Sequence, residues 1–265
     1  MVETPLPSAP LKHPNGRPGA WPFHWVLPAL FKPRHTYKEI AAQNRAVWLL
    51  PMLIFSLTSI AEVLASGWLK QMAALAGQVT LPPDFEFMTP EQQAQIMQAI
   101  QASSGPVFMY VFPVLAVLIK IWLGWLLVGG VIHLVLTLLG GRGHTPATMN
   151  VVAWASLPFA VRALVRALAL IATRQLIEHP GLSGFAPTDG LDMSLYLTAL
   201  LGFVDIYLIW HLVLLVIGSR EVSNLSGGKA WGGILGTLLL LTALQALISF
   251  GIQKASGLTI IRPFF

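Results

Sequence analysis

The sequence predicts an all-α fold: a polytopic membrane protein built as a bundle of five transmembrane helices, with an interfacial segment at its N-terminus. Composition is the first reason. Of 265 residues, 55% are hydrophobic and only 10% are charged, against about 25% charged in an average soluble protein. A soluble globule of this size could not cover its surface with so few charges. The second reason is that the apolar residues fall into five long runs, and a helix crosses a bilayer with about 20 such residues. The third is that the basic residues gather in the connections beside those runs. The formal charge of +5 therefore reads as a device for orientation and not as a nucleic-acid surface. Cysteine is absent, which removes disulfide frameworks, zinc clusters and thiol chemistry from consideration.

Residues 1–45 form the first region, a Pro-rich tail followed by an interfacial segment. Pro5, Pro7, Pro10, Pro14, Pro18, Pro22 and Pro28 forbid a long helix, and 1–20 is expected to be a disordered tail. Trp21, Phe23, Trp25, Leu27, Leu30 and Phe31 stand beside basic residues, a mixture suited to the headgroup boundary. A short helix is expected over 36–45, with Thr36 as its cap and Glu39 at capping-box spacing. The second region, 46–252, holds the five spans, placed at 46–66, within the long run 107–139, and at 151–172, 193–218 and 231–251. Between the first two lies an outer loop, 67–106. Thr89, Pro90 and Glu91 start a helix there, and Ile96, Met97 and Ile100 sit at helical spacing before Gly105 and Pro106 end it. Such a helix either caps the outer face of the bundle or docks a partner. Residues 253–265 are a short outer tail.

Loop charges orient the chain. One side holds Lys12, Arg17, Lys32, Arg34, Lys38, Arg45, Arg142, Arg220 and Lys229, and the other only Lys70, Arg174, Lys254 and Arg262. Positive residues favour the cytoplasm, so the N-terminus is expected inside and the C-terminus outside. The acids Asp84, Glu86, Glu91, Glu178, Asp189 and Asp192 then lie outside.

Five charged residues fall inside the expected spans: Glu62, Lys120, Arg162, Arg166 and Asp205. Each costs about 2.5–3.5 kcal/mol at a helix centre, so they are the candidate polar network. At about 1.5 Å of rise per residue, Arg162 and Asp205 fall near the midplane and the other three toward the outer third. Two opposite-charge groupings are expected: Arg162 with Asp205, and Glu62 with Arg166 or Lys120. One of the three cations is left without an acid, and Lys120 or Arg166 snorkels outward. Structural pairing and an ion or proton path are both open uses of such a set.

His133 and His211 are too few, and too far from any Cys or carboxylate cluster, for a metal centre. They read as packing histidines. Leu225-Ser226-Gly227-Gly228-Lys229 resembles the signature segment of ABC-transporter ATPases, but no Walker A pattern accompanies it and it sits in a short loop. Gly228, Gly232 and Gly236 instead form a ridge of small residues leading into the last span, the candidate helix-packing face. No nucleophile elbow, metal-protease motif or dinucleotide fingerprint is present, so no cofactor and no catalytic residue is expected.

Read in order, the chain resembles the Yip1 domain family in its bacterial form. The carrying stretches are Val131-Ile132-His133-Leu134 through Leu139-Gly140-Gly141-Arg142-Gly143, then Val152-Ala153-Trp154-Ala155-Ser156-Leu157-Pro158. Leu201-Gly202-Phe203-Val204-Asp205-Ile206-Tyr207-Leu208-Ile209-Trp210, Gly218, and Leu225-Ser226 with Gly228-Lys229-Ala230 complete it, with Leu30-Phe31-Lys32-Pro33 at the front. The resemblance covers about residues 30–250. It implies five spans and a cytoplasmic N-terminus, in agreement with the loop charges, and the bacterial form implies a bacterial cytoplasmic (cell) membrane. Eukaryotic members are linked to Rab GTPases and ER–Golgi traffic, but the acidic Asp-Leu-Tyr type motif of their N-terminal region is absent here. Some bacterial relatives are similar to accessory proteins encoded with ABC exporters. The implied role is a non-enzymatic scaffold or accessory subunit of a membrane complex, its partners being the lipid bilayer, an ABC-type transporter or a second copy of the chain. The alternative is a small transporter or channel that uses the intramembrane charges.

Overall fold

The computed structural model describes residues 21–43, 45–76, 85–187 and 192–255. The expected tail 1–20, residues 256–265 of the C-terminal tail, and Lys12, Arg17, Asp84, Asp189 and Arg262 lie outside the described residues. The described residues are helical throughout the bundle and contain no strand. Two short helices come first, α1 (Val26–Phe31) and α2 (Pro33–Ala41), followed by the long α3 (Leu49–Leu75). The far-side connection carries α4 (Pro90–Ser103), and α5 (Phe112–Leu138) returns from it. Then come α6 (Thr145–Ala155), α7 (Leu157–Thr173), α8 (Asp192–Phe203), α9 (Ile206–Ser223) and α10 (Gly227–Ala255). Five stretches are long and apolar enough to cross a membrane: α3, Val107–Leu138, Thr145–Thr173, α9 and Gly227–Ile252. The protein is an integral, multi-pass membrane protein with lipid-facing helices.

Local chemistry sets the ends of these elements. Proline occupies the first turn of α2, α4, α6 and α7, where its missing N–H has no intrahelical partner to lose. Thr89 and Gln92 close a capping box on α4. Arg174 and Asn224 end α7 and α9 in the left-handed region, both at φ 55°, the usual way of turning a chain out of a helix. The helix expected over 36–45 begins earlier, because Pro33 fixes its first turn. Thr36 is not a cap; it is buried, and its hydroxyl donates back to the Lys32 carbonyl at 3.2 Å. None of the described side chains of α4 is buried, so this helix does not cap the bundle.

The two ends of the bundle differ. At the near end, α1, α2 and the turns 139–144 and 224–226 gather. Here Trp25, Tyr37 and Ile40 are buried with Val151, Trp154, Leu214 and Leu215 in the largest core. Trp25 meets Trp154 edge-on at 5.8 Å, and its indole N–H donates to Glu39 at 2.9 Å. Asn150 is fully buried and stitches α6 to the start of α3. Its amide donates to the Arg45 carbonyl at 2.8 Å and accepts from the Val47 N–H at 2.9 Å. The Trp154 indole adds a bond to the Val47 carbonyl at 3.0 Å. Toward the far end the helices turn large apolar side chains outward, among them Leu164, Leu168 and Ile171 on α7 and Leu240, Leu247 and Ile248 on α10. In water that surface would be untenable; facing acyl chains, it is the expected finish.

Two of the five expected spans are interrupted. The third is bent at Ser156, where α6 ends and α7 starts on Leu157-Pro158. The fourth is divided outright: α8 stops at Phe203 and α9 begins at Ile206.

Candidate functional site at a broken transmembrane helix

The division of the fourth span organises the charged residues. Helix α10, 29 residues long, packs along both α8 and α9, so the break faces the middle of α10 and not its end. Helix α9 is 18 residues long, which puts Asp205 about 27 Å from the near-end turn. Asp205 was expected inside a continuous helix. It is instead the N-cap of α9 in extended backbone, its carboxylate accepting from the Leu208 N–H at 2.9 Å. An exposed break would leave backbone groups without partners in lipid. The loop after α7 folds back to prevent this. The Leu182 N–H donates to the carbonyls of Leu201 at 3.0 Å and Val204 at 3.1 Å, closing the C-terminal end of α8. Gly181 makes the approach possible. It sits at φ 60°, and a Cβ on it would lie 2.7 Å from the Val204 carbonyl oxygen.

Around this break the candidate charges converge. Arg162 on α7 donates to Asp205 at 3.1 Å. Arg166, one turn further on, reaches Asp205 at 3.8 Å and Glu62 of α3 at 3.6 Å. The four form one chain, Glu62–Arg166–Asp205–Arg162, joining α3, α7 and the α8–α9 break. All four side chains are less than a third exposed. The Arg162 guanidinium also lies over the Phe159 ring at 4.8 Å, and Phe159 in turn contacts His211 at 4.6 Å. Lys120 on α5 reaches the same region by another route. Its ammonium lies 5.9 Å from the centre of the Phe203 ring, at the end of α8.

The remaining candidates lie elsewhere. His211 is buried and donates through Nδ1 to the Ala155 carbonyl at 2.6 Å. His133 stands between two hydroxyls, Thr148 at 3.3 Å and Thr145 at 3.0 Å. Among the described residues there is no group of three or more metal-ligating side chains. Gly228, Gly232 and Gly236 lie on the exposed side of α10, and a Cβ at any of them would meet nothing within 4 Å. Ala230, Ile234, Thr237 and Leu238, on the other side of the same helix, are buried. The small-residue ridge therefore packs against nothing among the described residues.

Three functional features escaped the sequence reading: the break, the Gly181 turn that seals it, and Asn150. Only Asn150 had a usable signal, an amide next to an apolar run. A fourth feature, a basic recess at the near end between α2 and α9, had none, because its residues come from distant parts of the chain.

Comparison with known proteins adds one finding. No curated protein and no solved structure matches the chain. The sequence model of the Yip1 domain, however, matches residues 28–250. That range takes in α1 through most of α10, including the break, the charge chain and the glycine ridge, and the chain belongs to the Yip1 domain family.

Proposed function

We infer that this Yip1 domain protein is a non-enzymatic scaffold or accessory subunit that assembles with other proteins in the membrane, a transporter-type complex or a second copy of itself being the fitting partner. One observation carries the reading. The Gly228, Gly232 and Gly236 ridge is open along α10 while the opposite face is buried. Small residues in lipid let another helix approach closely, and helix association there rests on such close packing. The paired charges support the same reading, since a network satisfied within the chain holds helices together without carrying anything. The loop-charge count supports a cytoplasmic N-terminus and an outer C-terminus; the bacterial cytoplasmic membrane rests on the resemblance to the bacterial form of the family alone.

The absence of cysteine makes the test clean. Gly232→Cys carries a single thiol, and mild oxidation in native membranes should give a crosslinked species, either a homodimer or a heteromer identifiable by mass spectrometry. Gly232→Leu and Gly236→Leu should abolish recovery of the partner while leaving the melting temperature of the isolated chain unchanged. A chain that purifies alone and gives no crosslink would refute the scaffold.

A second reading rests on the break. Discontinuous helices are how many transporters build their binding sites, although this break lies about 27 Å from the near-end turn, toward the far side of a bilayer core about 30 Å thick. If the charge chain is a path, Asp205→Asn should abolish an ion flux that the parent supports in liposomes.

A further inference from the structure

The near end carries a recess that neither the charge chain nor the glycine ridge uses. Its main part is a cavity of about 570 Å³ lined by Arg34, Arg220, Glu221, Val216, Ile217 and Trp231, with Val213 on the wall. An adjoining hollow of about 350 Å³ shares Arg34 and Ile217 and adds Lys32, Pro33 and His35. Three elements build it: the α1–α2 junction, the last turns of α9 and the first turn of α10. Lys32, Arg34 and Arg220 face one carboxylate, Glu221. None of the three cations makes an ion pair among the described residues.

The walls of the recess indicate the occupant. Val213 and Ile209 lie one turn apart on α9, and Trp231 and Leu235 one turn apart on α10; all four are exposed. Each pair continues from the recess toward the middle of the helix bundle's lipid-facing surface. Just beside it, the exposed Phe31 ring rests on Trp210 at 5.9 Å. A basic head opening onto two apolar tracks matches a phospholipid with an anionic headgroup, and basic pockets between transmembrane helices are established sites for such headgroups. A soluble phosphate would use the cations and leave the tracks without a role.

We propose that Arg34 and Arg220, with Lys32, bind the phosphate of an anionic phospholipid, whose acyl chains lie along Val213 and Ile209 of α9 and Trp231 and Leu235 of α10. The headgroup contacts do not rest on the scaffold reading, but the α10 track of Trp231 and Leu235 borders the exposed Gly228, Gly232 and Gly236 ridge, so lipid binding is measured on the isolated chain, apart from any partner crosslink.

The test uses the full chain in mild detergent, titrated with phosphatidylglycerol or with phosphatidylcholine of the same acyl chains, bound lipids being counted by native mass spectrometry. The parent should bind phosphatidylglycerol at least tenfold more tightly. Each basic residue near a membrane surface is worth roughly a fivefold change in affinity. The double variant R34Q/R220Q should therefore lose most of that preference, R34K/R220K should keep it within about threefold, and R142Q, at the same end but outside the recess, should match the parent. Inorganic phosphate and glycerol 3-phosphate are the competing arms and should displace the lipid only at far higher concentration. Equal binding of the two lipids by the parent would overturn the proposal without any variant being needed. So would an undiminished preference in R34Q/R220Q that melts like the parent, or displacement by inorganic phosphate at the lipid's own concentration, which would mark a free-anion site.

Discussion

Arg166 is the residue on which the intramembrane charges turn, because it is the one that touches both acids. Loss of one member of a buried charge pair leaves the other uncompensated and costs about 3–5 kcal/mol. Arg162→Asp and Asp205→Arg should each lower abundance and melting temperature sharply, and the double swap should recover a large part of the loss, as read by thermal denaturation in detergent. Equal stability of both single variants and the parent would show the pair to be idle. Asp205→Asn separates two roles, since asparagine caps α9 as well as aspartate does but carries no charge for the arginines. Asn150→Leu should cost about 1–3 kcal/mol, for it removes the buried amide that bonds the Arg45 carbonyl and the Val47 N–H at the start of α3. Tyr37 points the other way. Its hydroxyl is buried and has no hydrogen-bond partner among the described residues, and burial pushes its pKa well above the ordinary value of 10.0. The neutral form is the folded one, so its contribution is complete below pH 10 and fades as pH rises above it. Tyr37→Phe should be at least as stable as the parent at neutral pH and lose less stability between pH 10 and 11. At this scale the sequence was informative: the five charges in apolar runs were conspicuous, and opposite signs in lipid have little choice but to meet. The third cation was harder to place. Lys120 reaches an aromatic ring at the end of α8, a contact that needs the break and so was invisible beforehand.

Among the elements, the α8–α9 break was the least legible. Hydropathy averages over a window, and one aspartate in 193–218 barely lowers it. Part of what holds the break lies outside the span, in a turn whose Leu182 N–H donates to the Leu201 and Val204 carbonyls. Gly181→Ala should therefore act at a distance. The alanine would need a left-handed backbone and would press on the Val204 carbonyl, so a loss of about 1–3 kcal/mol is expected, together with faster hydrogen exchange at Leu182 and through α8. Unchanged exchange there would show that the turn does not seal the break. The bend at Ser156 was more accessible, since Ser-Leu-Pro inside a run marks a proline at a helix start. The α2 boundary was missed for the same kind of reason in reverse: Thr36 looks like a cap, but Pro33 had already set the first turn.

For the molecule as a whole, the number of crossings and their order were readable because the bilayer thickness imposes one length on every span. Depth and neighbours were not, because lipid-facing and buried surfaces are both apolar and composition cannot tell them apart. The direction of successive helices places the described ends of the chain at opposite ends of the bundle, so tags at the two termini should be labelled from opposite faces of the membrane. Labelling from one face would break the topology.

The seating of α1 and α2 has a consequence for biogenesis. These helices leave the ribosome before α6 and α9, yet the surfaces that bury Trp25, Tyr37 and Ile40 belong to those two later helices. At ordinary rates of translation the interval before α9 is complete is roughly 10–40 s. For that time α1 and α2 lack the surfaces that bury them in the finished fold, and the membrane boundary suits their aromatic and basic side chains in the meantime.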